Sequence, residues 1–370
     1  MANKKNKSKN SAIRGDQRKV ALPTFSNYNL AFKYFVEQGV DAECILPAAH
    51  TKKTVHFGEL NSPDFVCTPF KHSLGSMIEM LELGADTLVE IGGPCRLGFY
   101  GELQEKILRD MGYEFTMINF DFLKDKKKSE WLKVIKSVNP DVKYPQMLIE
   151  ATNTMKMVKY LDEIEELYHA NMGFEANVGA YDKIYRDFLF DMKMAASGND
   201  IKNAYRKAKV AMDDEPLNKP DMPLKVGVVG EYYTIMDKFS NLDVENKLCR
   251  MGIEVHRLIN VTNYNLGGSE QKLFPAAKNY MKFPMGPTSA TTVAAAEKYA
   301  KQGFDGLIHV KCFGCTPEVD VMPLLQKLSQ DYHIPVLYLS YDTQTSDTGL
   351  DTRLEAFYDM ISLKKKVLKN

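Results

Sequence analysis

The sequence predicts an α/β protein with two parallel-sheet domains joined by a helical segment. Three observations carry that reading. Short apolar runs alternate with amphipathic stretches over 20–123 and again over 222–370, the pattern of strands linked by crossover helices. Between them, 124–221 has few β-branched clusters and many Lys, Glu, Met and Ala residues at helical spacing. Gly39, Gly84, Gly112, Gly252 and Gly303 each stand where a helix would end shortly before a strand or loop.

In chain order, residues 1–19 are rich in Lys, Asn and Ser and read as a disordered basic tail. Residues 28–38 read as a helix with Leu30, Tyr34 and Phe35 inward. A short strand is expected at 64–66. A helix follows at 73–83, with Leu74, Met77, Ile78 and Leu81 on one face. Residues 87–91 read as a strand, 98–111 as a helix and 115–120 as a strand. Helical spacing marks 148–170 and 181–194, whose Met and Tyr stripes suit a core. A Pro-rich linker at 213–223 closes this insert. The second α/β unit has strands at 224–229, 254–258, 306–310 and 335–340. Its helices are expected at 242–251, 290–302, 319–331 and 352–363. The domain reading is therefore a tail (1–19), an N-terminal α/β domain (20–123), a helical insert and linker (124–221) and a C-terminal α/β domain (222–370).

Composition removes several function classes. The 48 basic and 48 acidic residues cancel, so the basic excess of a nucleic-acid binder is missing. The longest apolar runs are strand-length, too short for a transmembrane helix. The first twenty residues are polar and basic with no apolar core, so a cytoplasmic protein is expected. In that reducing setting the six cysteines read as free thiols or metal ligands. Gly227-Val228-Val229-Gly230 has too few glycines for a dinucleotide fingerprint, and no P-loop supplies an ATP site.

Three cysteines have matching surroundings: Phe65-Val66-Cys67-Thr68-Pro69-Phe70, Gly92-Gly93-Pro94-Cys95-Arg96 and Phe313-Gly314-Cys315-Thr316-Pro317-Glu318. Each follows a strand-like run and precedes a helical one. That places each thiol at the carboxyl end of a strand, where open α/β sheets bind ligands. Soft thiolates at such an edge suit an iron–sulfur cluster, zinc or Cu(I). The wide spacing excludes a local finger. Gly92, Gly93 and Gly314 permit close backbone approach, the following helix N-termini favour an anion, and Arg96 favours the Cys95 thiolate. The alternative is three small buried residues. Cys44 and Cys249 lack the setting and read as structural. Cys312 is either a fourth ligand or the end of a strand. Lys71 and His72 would face a substrate phosphate or carbonyl, or form a solvated helix start. Glu318 would be an acid–base group or a helix N-terminal carboxylate. The polar run Tyr341 to Ser346 would line a ligand crevice or form a turn.

The runs Ser62-Pro63-Asp64-Phe65-Val66-Cys67-Thr68-Pro69-Phe70-Lys71, Gly93-Pro94-Cys95-Arg96-Leu97-Gly98-Phe99-Tyr100, Phe313 to Glu318 and Thr352-Arg353-Leu354-Glu355-Ala356-Phe357 together resemble the activase-related branch of the 2-hydroxyacyl-CoA dehydratase superfamily. That superfamily includes benzoyl-CoA reductase subunits and double-cubane cluster proteins. The resemblance spans about Pro47 to Leu363. It implies two flavodoxin- or Rossmann-like domains with a [4Fe-4S] cluster between them. Cys67, Cys95 and Cys315 would hold three irons and leave the fourth open, with Arg96, Gly93 and Gly314 beside them. It also implies a separate ATP-hydrolysing iron–sulfur activator as electron donor, and a second related subunit or a homodimer. The reaction implied is reductive radical chemistry on an acyl-CoA or similar small substrate. A double cubane would ask for about six thiolates, and a zinc-stabilised or metal-free α/β binding or scaffold protein is the non-catalytic alternative.

Overall fold

The computed structural model describes residues 18–92, 95–121, 128–263 and 270–369. Two parallel sheets organise them. The first contains β1 (Lys19–Ala21), β2 (Glu43–Ile45), β3 (Thr87–Gly92) and β4 (Thr116–Asp121) in the order β2-β1-β3-β4. The second contains β5 (Leu224–Gly230), β6 (Ile253–Arg257), β7 (Gly306–Cys312) and β8 (Val336–Tyr341) in the order β6-β5-β7-β8. Every pairing in both sheets is parallel. The α/β class with two flavodoxin- or Rossmann-like sheets is as the sequence predicts.

The two sheets share one topology. In each, strand order reverses between the first and third strands, so a crevice opens at their carboxyl ends. Cys95 follows β3 and Cys315 follows β7, the equivalent third strands. Strand β7 is buried along its whole length, as expected of a central parallel strand covered on both faces. Ile308 and Val310 enter one core and Leu307 the other, the period of two that places His309 on the Leu307 side.

Sequence and structure differ at several places. Residues 64–66 are a turn and not a strand. The helix Lys52–Asn61 ends just before Pro63, and the few residues left before the helix Thr68–Glu82 cannot cross a sheet. The stretch read as one helix at 28–38 is an α-helix, Asn29–Tyr34, running into a π-helix, Phe35–Val40. It ends at Asp41, whose φ of 57° is left-handed, and Gly39 lies inside it. Strands β1 and β2 escape periodicity because each has three residues and depends on its neighbours.

The helices Lys52–Asn61 and Thr68–Glu82 pack backbone to backbone. A Cβ on Gly58 would lie 1.8 Å from the Lys71 carbonyl oxygen, and one on Gly75 would lie 1.9 Å from that of Thr54. Gly75→Ala is therefore expected to destabilise the protein by about 2–3 kcal/mol, read as a lower urea midpoint. An unchanged midpoint would mean that the helices separate freely.

The helical segment packs on the second sheet. Met157, Leu161, Ile164, Tyr168, Tyr185 and Met192 share one core with Val226, Val228 and Val255 of the second sheet. A buried ion network ties the same surfaces. The Arg257 guanidinium donates to Glu245 at 3.0 Å, to Glu165 at 2.5 Å and to the Ile259 carbonyl at 2.7 Å.

Candidate functional site

Cys67 and Cys315 occupy the same local structure. Each is the extended residue just before a helix, Thr68–Glu82 or Thr316–Tyr332, and each helix has a proline in its first turn. The Cys-Thr-Pro order explains this: proline fits the first turn, where its missing N–H is not needed. The difference is in what precedes them. Cys315 follows β7, whereas Cys67 follows a turn between two helices. The sequence expectation of a strand before Cys67 is thus corrected, yet its thiol still reaches the shared edge.

The thiols converge from both sheets. The Cys312 thiol is buried, and its single S–H is shared between Cys67 and Cys315. A Cβ on Gly314 would lie 3.9 Å from the Cβ of Cys67. The Tyr100 hydroxyl donates to Cys67 Sγ at 2.6 Å. The hydrogen bond from Cys312 lowers the Cys67 thiol below its ordinary range; burial opposes this, while Tyr100 and the Phe70 amide reinforce it. Donation to Cys315 and Cys67, together with burial, pushes Cys312 well up. Tyr100 is raised first by burial, then by the charge of Cys67, with Cys95 and Cys312 adding to it. Tyr100 therefore reports all three thiols at once. Cys95 itself is exposed.

Gly314 leaves room for a methyl group, since 3.9 Å is ordinary van der Waals contact. The close approach expected there is not required. Gly93 and the Arg96 side chain lie outside the described residues. Cys44 and Cys249 stand apart chemically. Burial, then the charge of Glu37, pushes Cys44 up to about 12. Cys249 is fully buried and donates to the His169 carbonyl at 3.1 Å.

Glu318 is fully buried. It takes a 2.7 Å hydrogen bond from His309 Nε2, others from Thr292 Oγ1 at 3.1 and 3.2 Å, and one from Thr288. These contacts clamp the first turn after Cys315 onto β7. Lys71 is half-buried. His72 is buried, and its Nδ1 lies 2.9 Å from Ser240 Oγ. Burial, then the nearby His50, lowers His72 to about 4, so its imidazole is neutral at pH 7. Thr343 and Gln344 of the polar run after β8 reach Glu59 of the first half.

Sequence reasoning did not single out Tyr100 or Glu231. Glu231 is buried, follows β5 and accepts from the Tyr233 and Thr234 amides at 2.6 and 2.9 Å. Burial raises it despite those bonds, and its charge bears on both Cys67 and Cys312. Tyr100 had one available signal, its place five residues after Cys95. Glu231 had only its position after a glycine-ended strand.

A family model described as 2-hydroxyglutaryl-CoA dehydratase, D-component, matches residues 156–361, more than half of the 370-residue chain. The chain belongs to this family. The match includes β5 to β8, Cys312 and Cys315, and begins after Cys67 and Cys95. Membership of the 2-hydroxyacyl-CoA dehydratase superfamily agrees with the resemblance carried by the cysteine motifs. No curated protein matches the chain. Among the described residues, no helix is long and apolar enough to cross a membrane.

Proposed function

We propose that this chain is the cluster-bearing component of a 2-hydroxyacyl-CoA dehydratase-type system, with one [4Fe-4S] cluster on Cys67, Cys95 and Cys315. The observation that carries the proposal is the meeting of thiols from both halves of the chain: Cys67, Cys95 and Cys312 all bear on Tyr100, and Cys312 in turn neighbours Cys315. The donor set fits the group: soft thiolates, one of them held below the usual thiol range, at the start of helices whose free amides favour an anion. When bound, the cluster would supply single electrons at low potential, received from a separate ATP-hydrolysing activator, for reductive chemistry on an acyl-CoA or similar small substrate.

The protein's own residues prepare that place. The Tyr100 hydroxyl donates to the Cys67 sulfur, and such a bond raises the potential of a cluster it contacts. Burial raises the Glu231 carboxyl, and its charge opposes thiolate formation at Cys67 and Cys312. Glu318 and His309 hold the Cys315 turn in register and are better suited to positioning than to proton transfer, because neither is exposed. A cytoplasmic location, an activator partner and a second related subunit or homodimer belong to the same proposal.

The test is anaerobic purification with iron, sulfide and electron paramagnetic resonance measurements. About four irons with matching sulfide support one cubane, and about eight would call for a double cubane. Iron-free protein after reconstitution would end the proposal. A second reading is favoured by Cys312, whose contacts with Cys67 and Cys315 suit a closed four-thiolate site such as structural zinc.

Each cysteine turn also carries an exposed phenylalanine: Phe65, Phe99 and Phe313 are 96%, 71% and 72% exposed. Large apolar groups at an electron-entry face suit a docking partner. Joint replacement of Phe65 and Phe313 by serine is expected to weaken the activator's Kd by about tenfold or more with iron content unchanged. Unchanged binding would remove that face from the proposal.

A further inference from the structure

A second cluster of ligating side chains lies deeper between the two halves. His50 comes from the chain after β2, His72 from the second turn of the helix Thr68–Glu82, and Asp237 from the end of the short helix Tyr232–Met236 after β5. All three are buried. One ligating atom from each lies within 4.8 Å of the other two. The imidazole rings of His50 and His72 are 5.1 Å apart. We propose that His50, His72 and Asp237 form a binding site for a divalent first-row transition ion of the zinc type, separate from the cysteine cluster.

Hydrogen bonding alone leaves this group incomplete. His50 Nδ1 is 3.3 Å from Asp237 Oδ2, and Ser240 donates its backbone N–H to the same oxygen at 3.0 Å. The Ser240 hydroxyl also meets Asp237, and it lies 2.9 Å from His72 Nδ1. His50 Nε2 is buried with no hydrogen-bond partner among the described residues. An orphaned buried nitrogen costs about 1–3 kcal/mol. Asp237 is held below the usual carboxylate range: burial alone would raise it, and the contacts with His50 and Ser240 outweigh that. A buried carboxylate beside two imidazoles, one with an orphaned nitrogen, is an arrangement that a divalent cation completes.

Two imidazoles and one carboxylate form a mixed nitrogen–oxygen set suited to Zn²⁺ or Fe²⁺. At Zn–N and Zn–O distances of about 2.0–2.1 Å, ligand atoms stand about 3.4 Å apart. The His50–Asp237 pair already stands at 3.3 Å, and any closure the other pairs need is at most the difference from 4.8 Å, which the stretch around His50, with neither helix nor strand, can supply. Three protein ligands leave a fourth position beside Ser240 for its hydroxyl or a water. The ion would tie the His50 loop and the Cys67 helix of one half to Asp237 of the other.

The experiment uses the anaerobically purified full-length protein with its native metal content, to which zinc alone is added. Expected are one zinc per chain and a zinc-edge X-ray absorption shell of nitrogen and oxygen at about 2.0–2.1 Å. His72→Gln and Asp237→Asn should each weaken zinc binding at least about tenfold with iron unchanged. A sulfur shell at about 2.3 Å, or zinc retained undiminished in both variants, would overturn the site. To separate binding from folding, zinc should raise the Tm of the wild-type protein but not of His50→Gln, with similar zinc-free Tm values. Equal zinc-induced shifts, or no shift in either protein, would also overturn it.

Discussion

Cys67→Ser and Cys315→Ser are each expected to lower iron content by tenfold or more, with the secondary structure of the purified proteins unchanged. The expectation follows from converging donors: the Cys67 thiol is held below its ordinary range, and Cys315 begins the turn that Glu318 clamps to β7. A serine hydroxyl is a poor substitute for a soft thiolate. Cys312→Ser divides the two readings of the site. Three-cysteine ligation predicts that iron stays, since Cys312 then acts only as a hydrogen-bond donor to Cys67 and Cys315, a bond that a serine hydroxyl can also make. Closed four-thiolate ligation predicts that the metal is lost. Retained iron in Cys67→Ser and Cys315→Ser together would remove the cysteine site from the function altogether.

Arg257→Met is expected to cost about 3–5 kcal/mol of stability at pH 7, because Glu165 and Glu245 would be left buried without their shared cation. Glu165 is buried, which alone would raise it; the charge of Arg257, with His169, Lys238 and the Tyr185 hydrogen bond adding to it, outweighs burial and holds it at about 2. In the wild-type protein this depressed carboxyl contributes stability that is fully present above the unfolded-state value of about 4.3 and is lost as pH falls toward about 2. In the variant the sign reverses, since the unpaired carboxylate takes up a proton more readily. The gap between the two proteins should therefore narrow as pH falls from 7 to 4. Urea unfolding at both pH values measures it, and a gap below about 1 kcal/mol at pH 7 would show that the network is dispensable.

How much was legible depended on the range of each signal. The strands β3, β5, β6, β7 and β8 carry local apolar runs, and the helices around them carry local periodicity, so each was readable within a window of a few residues. Strands β1 and β2 were not readable, because three residues cannot show alternation and their order depends on neighbours far along the chain. The turn before Cys67 was misread for a related reason. Phe65 and Val66 look like strand residues, but Phe65 is almost wholly exposed and the segment serves to start a helix.

Residue type and local motif by themselves marked three cysteines with matching surroundings. Cys67, Cys95 and Cys315 each precede a helix start, and the Cys-Thr-Pro order is a local property of the chain. They also separated Cys249, whose neighbours are those of a core helix. Only the tertiary structure decided that the Cys312 thiol lies beside Cys67 and Cys315, that Tyr100 serves Cys67, that Glu318 faces His309, and that His50, His72 and Asp237 meet. Thiol acidity and imidazole protonation follow from burial and from partners tens to hundreds of residues away, as His50 and Asp237 are, and no local pattern encodes those distances.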